Sequence, residues 1–382
     1  MKPAHPARSA KPLLVIGWDG ATPELVGPWL QDGTLPHLAQ LAKRGCFAPL
    51  RSLIHPLSPA AWTSAVTGLN PGRHGVWDFG HRRPGTYEVA PTTAQQRSGA
   101  TLWDIAGQCG LRSLVINVPM THPSGPIDGV FVPGLGASEL EGATHPEQIA
   151  RLIADEVPDY RIDSNIYEHT DPADFVASVR AMVRARTSVA VSLLEREQPD
   201  LMFCVFVATD RIQHAFWKQA ALPWTDGSRA GWRFSGAVRD CYRDLDEALG
   251  RLVKAAGPEA TVLVVSDHGF GDLEGDLHLN AVLEELGFLS VRRAPAGGLA
   301  RRLAARIRGS KAGTERSPIF GDITWEQTRA YSRGLFGNIW LNLRGREPLG
   351  QVEPGPEAEE LLCTITESLL ALKEPSGRAP LI

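Results

Sequence analysis

Three observations predict an α/β fold with a mostly parallel central sheet covered by helices. Short apolar runs rich in β-branched residues lack polar alternation, which is typical of strands buried on both faces. Segments with helical character separate these runs, as in proteins that alternate strands and helices. The 382 residues are 43% apolar and 21% charged, ordinary values for a globular chain with a sizeable core. Disordered and fibrous classes are therefore excluded.

The predicted elements follow one another along the chain without a fixed-period repeat. The predicted strands are Leu13–Gly17, Leu114–Val118, Leu201–Val207, Thr261–Val265 and Trp340–Leu343. The predicted helices cover 35–45, 101–109, 146–156, 172–195, 236–256, 278–286 and 357–371. This order predicts one α/β domain over residues 12–382, preceded by a flexible segment, 1–11.

Charge and cysteine content limit the classes of function. Lys and Arg number 39 against 43 Asp and Glu, a net charge of −4, which gives no electrostatic basis for coating nucleic acid. The five cysteines are scattered, which predicts no disulfide framework and favours a reducing compartment. The first eleven residues have no apolar leader core, and no apolar run is long enough to span a bilayer. We predict a cytoplasmic protein, whose oligomeric state the sequence leaves open.

A basic segment at about 291–316 interrupts the pattern. It carries seven arginines and Lys311 against one acid, Glu315. Such a run is typical of a solvated insertion, and the alternative is a docking surface for an anionic substrate or partner.

Acidic residues follow three of the predicted strands. They are Asp19, Asp210 and Asp267, and two of them have a histidine close by, in Asp210-x-x-x-His214 and Asp267-His268. Because ligands of open α/β sheets bind beyond the carboxyl ends of the strands, we expect these acids to meet in space. Carboxylate oxygen together with imidazole nitrogen suits zinc, manganese or a related divalent ion.

The sequence resembles the type I phosphodiesterase/nucleotide pyrophosphatase family of the alkaline phosphatase superfamily. The resemblance extends from about residue 12 to the end and rests on motifs in the family's order: 15–20, 56–68, 71–75, Asp210 with His214, and 266–269. It implies an alkaline-phosphatase-like three-layer sandwich and two divalent metal ions, usually zinc, with manganese as the alternative. It also implies in-line attack on phosphorus by a metal-bound Ser or Thr hydroxyl.

Carried over by position, the resemblance assigns a role to six side chains. Asp19, Asp267 and His268 would hold the ion that also binds the nucleophile, and Asp210 with His214 would hold the second ion. The nucleophile position falls on Ser58, ten residues before Gly68. Ser58-Pro59 predicts an N-cap and first residue of a helix, whose free N–H groups would suit a phosphoryl group.

Two departures from the family pattern concern the second ion and the substrate. The family supplies a late histidine to the second ion, whereas no histidine follows His278 here. We therefore expect either that His278 serves as this ligand or that the chain is incomplete at its C-terminus. Asp78 is a candidate substrate contact, but Phe79 stands where the family places a phosphate-contacting Asn, which weakens the case for a nucleotide site.

The leading hypothesis is a metal-dependent phosphohydrolase that acts on a small phosphodiester or pyrophosphate through a phosphoserine at Ser58. Within the superfamily, the alternative is a phosphomonoesterase or phosphomutase. A sulfatase is disfavoured because no C-x-P-x-R or S-x-P-x-R motif occurs. The alternative of another class is a ligand-binding or scaffold protein that keeps the fold with an incomplete site.

Overall fold

The computed structural model describes residues 11–292, 320–334 and 336–373. Most of the basic segment at 291–316 and nearly all of the N-terminal segment 1–11 lie outside the described residues. The chain divides into two compact units. The first comprises residues 1–81 and 91–272, and the second comprises 82–90 and 273–382.

A five-stranded parallel sheet forms the centre of the first unit. Its strands are β1 (Leu13–Trp18), β4 (Ser113–Ile116), β5 (Gly129–Val132), β6 (Leu201–Phe206) and β7 (Thr261–Val265). They lie in the order β5-β4-β6-β1-β7, and each neighbouring pair is parallel. The predicted mostly parallel α/β architecture is therefore confirmed. A short pair of strands, β2 (Gly80–Arg82) and β3 (Val89–Pro91), lies where the chain passes from one unit to the other.

The helices of the first unit occur largely where the sequence predicts them. They are α1 (Pro23–Gln31), α2 (Pro36–Arg44), α3 (Ser58–Thr67), α4 (Pro71–His74), α5 (Leu102–Gln108), α6 (Gln148–Glu156), α7 (Pro172–Glu197), α8 (Ala208–Phe216) and α9 (Ala237–Ala256). Among the helices that the structure describes, none combines the length and the apolar character that crossing a bilayer requires.

The second unit has its own small core. It contains α10 (Leu279–Glu285), the antiparallel strands β8 (Ala330–Ser332) and β9 (Ile339–Leu341), and α11 (Pro356–Leu370). Leu283, Tyr331, Val352 and Leu361 are among the buried side chains that pack there.

Burial differs along the central sheet. Every residue of β6 and β4 is buried, as the unbroken apolar runs predict. β7 lies at the edge of the sheet among the described strands, and Leu263 is 51% exposed. The expectation of a strand covered on both faces is therefore wrong for β7, in which no residue is fully buried, whereas the other edge strand, β5, is mostly buried.

Helix α9 caps helix α2 across the fold. No side chain next to the start of α2 caps it, and the buried Asp246 carboxylate instead accepts bonds from the backbone N–H groups of His37 (3.0 Å) and Leu38 (2.8 Å). Gly250 allows this approach, since a Cβ there would lie 2.6 Å from Nδ1 of His37. Glycine has a low helix propensity, but at position 250 its small size lets helices α9 and α2 come into contact.

We expect Asp246→Ala to lower the free energy of unfolding by about 1–3 kcal/mol, because two backbone donors lose their acceptor inside the protein. Urea unfolding followed by circular dichroism measures the change. The matched control is Glu247→Ala, at the next position of α9, whose side chain is exposed and should change the value by less than about 0.5 kcal/mol. Equal effects of the two substitutions would contradict the capping role of Asp246.

Candidate active site

The carboxyl ends of three adjacent strands gather the predicted acids. Asp19 directly follows β1, Asp210 lies in the first turn of α8 just after β6, and Asp267 follows β7. Since β1 lies between β6 and β7 and all run the same way, their ends meet at one edge of the sheet.

Asp19, Asp267 and His268 form a compact cluster of candidate metal ligands. One ligand atom from each lies within 4.8 Å of the others, and Nε2 of His268 is 3.6 Å from Asp19 Oδ1 and 3.3 Å from Asp267 Oδ2. The other ring nitrogen, Nδ1, lies 2.8 Å from the carbonyl oxygen of Gly269. Because a carbonyl can only accept, Nδ1 is the nitrogen that donates here, and Nε2 is the nitrogen that faces the two carboxylates.

Ser58 lies beside this cluster. Its Oγ is 3.1 Å from His268 Nε2 and 3.4 Å from Asp19 Oδ1, and the side chain is buried. Ser58 is the first residue of α3 rather than the predicted N-cap, a position that Leu57 takes, and its hydroxyl makes no capping bond. The hydroxyl therefore faces the acids and the imidazole, next to backbone N–H groups that have no acceptor within the helix.

Packing inside the fold fixes the orientation of Asp19. The indole Nε1 of Trp62 donates a 2.7 Å hydrogen bond to Asp19 Oδ2, which leaves Oδ1 for the cluster. Trp62 reaches this position over Gly17 of β1, where an added Cβ would lie 2.5 Å from the indole ring. The backbone N–H of Gly20 fixes Asp267 in the same way, with a 3.1 Å bond to Oδ1.

Asp210 and His214 form a second pair next to the cluster. Nε2 of His214 lies 3.3 Å from Asp210 Oδ1, one helical turn along α8. Arg211 holds the other oxygen, because its Nη1 donates to Asp210 Oδ2 at 2.9 Å. The same guanidinium also binds both oxygens of Asp163, at 2.9 and 2.7 Å, so its direction is fixed from two sides.

The electrostatics of the cluster favour a bound cation. Burial raises the pKa of Asp19 well above its usual range, and the Asp267 and Asp210 carboxylates raise it further. Burial also raises the pKa of Asp267, although His268 opposes this. For Asp210, burial acts in the same direction, but His214 and Arg211 hold its pKa below the usual value.

The donor set therefore fits a divalent metal ion. Crowded buried carboxylates repel one another, and a cation among them removes this cost. Oδ2 of Asp267 is buried and has no hydrogen-bond partner among the described residues, although it lies 3.3 Å from His268 Nε2. Two carboxylates and one imidazole nitrogen are ligands that zinc and manganese accept.

The structure brings six sequence-predicted side chains to this edge of the sheet. They are Asp19, Ser58, Asp210, His214, Asp267 and His268. Asp78 makes a local bond instead, in which its Oδ1 accepts from the N–H of Phe79. His278 is the N-cap of α10 in the second unit, and its role as a metal ligand stays a prediction, as does that of Asp78 in substrate binding.

Sequence reasoning missed the residues that hold these groups in place. Trp62 carried no signal beyond a core aromatic, although its indole binds Asp19. Arg211 lies inside the Asp210-x-x-x-His214 motif, and an arginine next to a candidate ligand is the one signal that could have drawn attention to it. Its partner Asp163 lies in a loop, 48 positions away.

The fold and the cluster together indicate a class of protein. Acid, imidazole and hydroxyl groups converge at the carboxyl edge of a parallel sheet, an arrangement that is typical of α/β hydrolases that use bound metal ions. The family model of the type I phosphodiesterase / nucleotide pyrophosphatase matches residues 13–377. The chain belongs to this family, which confirms the resemblance seen in its motifs. Membership supports a phosphoester hydrolase.

Solved structures of one hydrolase show a similar fold at low identity. The chain is similar to phosphonoacetate hydrolase from Sinorhizobium meliloti 1021 in complex with phosphonoacetate and with phosphonoformate, each time with a TM-score of 0.50 and 16% identity over 78% of this chain and 73% of the hydrolase. A 2-O GAG sulfatase matches with a TM-score of 0.41 and 13% identity over 68% and 58%. The hydrolase confirms the predicted alkaline-phosphatase-like architecture. No curated protein matches the chain.

Proposed function

We propose that the protein is a metal-dependent phosphohydrolase that cleaves small phosphodiesters or pyrophosphates through a phosphoserine at Ser58. The observation that carries this proposal is the position of Ser58 Oγ, 3.1 Å from His268 Nε2 and 3.4 Å from Asp19 Oδ1, at the start of a helix. A hydroxyl beside a set of metal-ligating atoms and free backbone N–H groups is arranged for attack on a phosphoryl group.

Each residue has a distinct role in this proposal. Asp19, Asp267 and His268 hold one divalent ion, and Asp210 with His214 holds a second, zinc or manganese in both cases. The bound ions supply charge stabilisation for a serine alkoxide and for the oxygen that leaves. The N–H groups at the start of α3 bind phosphoryl oxygens, and Trp62 keeps Asp19 in its ligating orientation.

The chemistry at Ser58 proceeds in two displacements. The serine hydroxyl gives its proton to solvent, and the bond from Oγ to phosphorus forms as the bond from phosphorus to the leaving oxygen breaks. The leaving oxygen takes up a proton from water, which releases an alcohol from a diester or a phosphate from a pyrophosphate and leaves phosphoserine. Water then attacks the same phosphorus, which releases phosphate or a phosphate monoester and returns the serine hydroxyl. Arg211, held by Asp163, keeps Asp210 in place throughout.

Hydrolysis of two chromogenic esters tests this proposal. We expect the protein with added Zn²⁺ or Mn²⁺ to cleave bis-p-nitrophenyl phosphate with a higher kcat/KM than p-nitrophenyl phosphate, and a chelator to remove both activities. A preference for the monoester would instead favour a phosphomonoesterase of the same superfamily. Absence of turnover with either ion would contradict the proposal and favour a ligand-binding protein.

A further inference from the structure

Three aromatic side chains extend from the second ligand pair. The ring of Phe270 meets His214 edge-on, with 4.8 Å between centroids and 80° between planes. Trp217 packs against Phe270 at 5.1 Å, and Trp224 packs against Trp217 at 5.8 Å. We call Trp217, Trp224 and Phe270 the aromatic cluster. All its distances lie in the range of favourable aromatic pairs.

The aromatic cluster runs from the core to solvent. Trp217 is 6% exposed, Phe270 is partly exposed and Trp224 is 50% exposed. The side chain of His214 is itself 67% exposed. Core packing explains why Trp217 is buried, but it does not explain why the half-exposed Trp224 packs against it. An open aromatic surface that begins at a candidate metal ligand is typical of a binding site.

The backbone fixes this surface relative to the candidate ligands. Trp217 directly follows α8, the helix that carries Asp210 and His214. Phe270 lies two residues beyond His268 in the loop after β7. Trp217 and Phe270 are therefore attached to the same two segments that present the candidate ligands, and Trp224 follows Trp217 by seven residues, so short stretches of chain set the distance from the cluster to the proposed phosphoryl site.

We propose that the aromatic cluster binds the organic group attached to the substrate phosphorus and selects groups that carry an uncharged planar ring. This inference rests on the proposed function, because it places the phosphoryl group between Ser58 and His214. A flat ring beside Phe270 and Trp224 gains contacts that a small alkyl group cannot make. We expect about a tenfold preference, the size of one good aromatic contact.

Two phosphonates with the same charged group test the proposal. Phenylphosphonate carries a ring and ethylphosphonate does not, and calorimetry in the presence of Zn²⁺ measures the affinity of each. We expect the wild type to bind phenylphosphonate about tenfold more tightly. Phe270→Leu keeps an apolar side chain without a ring, and Trp224→Ala removes the outer ring; each should reduce the preference to about twofold or less while the affinity for ethylphosphonate stays the same.

Trp232→Ala is the matched control. Trp232 is a tryptophan of the same loop with a similar exposure of 51%, but its ring lies against the guanidinium of Arg229, 5.9 Å from the centroid. This variant should keep the wild-type preference.

Equal affinities of the wild type for the two phosphonates, or no binding of either, would overturn the proposal. Parallel loss of both ligands in Phe270→Leu would also overturn it, because Phe270 would then only support His214. These results are distinguishable from failure of the proposed function, which shows as absence of ester turnover in the wild type.

Discussion

Ser58→Ala is expected to lower kcat for diester hydrolysis by at least about 10³-fold, because no other group takes over the covalent step when the nucleophile is lost. The loss should appear in kcat at every metal concentration, since the substitution leaves the three ligands of the first ion in place. Steady-state hydrolysis of bis-p-nitrophenyl phosphate measures it. Mass spectrometry of acid-quenched wild-type reactions should find phosphate on the peptide that contains Ser58 and none in the variant.

Ser64→Ala provides the control on the same helix. The Ser64 hydroxyl is 2.9 Å from Nε2 of His74, whose Nδ1 accepts the N–H of Val76, so this pair has a structural role. Removing the Ser64 hydroxyl should cost less than about tenfold in kcat, the size of a local packing effect. Retention of full activity by Ser58→Ala would contradict the nucleophile assignment.

Asp267→Asn is expected to abolish binding of the first metal ion and, with it, catalysis. The substitution replaces the carboxylate, whose Oδ2 lies 3.3 Å from His268 Nε2, by an amide. It thereby removes one negative charge from the cluster. In the wild type, Zn²⁺ at about a hundred times its Kd should stabilise the fold by about 2.7 kcal/mol, which raises Tm by several degrees. The variant should show a clearly smaller rise in Tm than the wild type, because only the second ion can still bind, and its kcat/KM should fall at least about 100-fold.

The control for this experiment is Asp155→Asn. Asp155 is an exposed acid of α6, and its substitution changes the formal charge by the same amount. This variant should keep the metal-dependent rise in Tm and the wild-type activity. An equal rise in Tm for Asp267→Asn and the wild type would show that the metal binds elsewhere.

The positions of the candidate ligands could be predicted because they follow from the common direction of the strands. Once Asp19, Asp210 and Asp267 each follow a strand of one parallel sheet, their meeting at its carboxyl edge requires no knowledge of side-chain packing. The helix start at Ser58 was predictable from Pro59, to within one residue.

Contacts between distant segments could not be predicted in the same way. The bonds from Arg211 to Asp163 and from α2 to Asp246 join positions 48 and more than 200 residues apart. Local periodicity carries no information about such pairs. Strand β5, Gly129–Val132, was also missed, since its apolar run is only three residues long and lies between Gly129 and Pro133, which are typical of turns.

Gly17 links the interior of the sheet to the chemistry at its rim. Because Gly17 has no side chain, the Trp62 ring can pack directly over it. The indole N–H of Trp62 then binds one carboxylate oxygen of Asp19. We therefore expect a methyl group at Gly17, next to the last residue of β1, to displace the Trp62 ring and the Asp19 carboxylate beside the Ser58 hydroxyl, and so to lower activity without contacting the substrate.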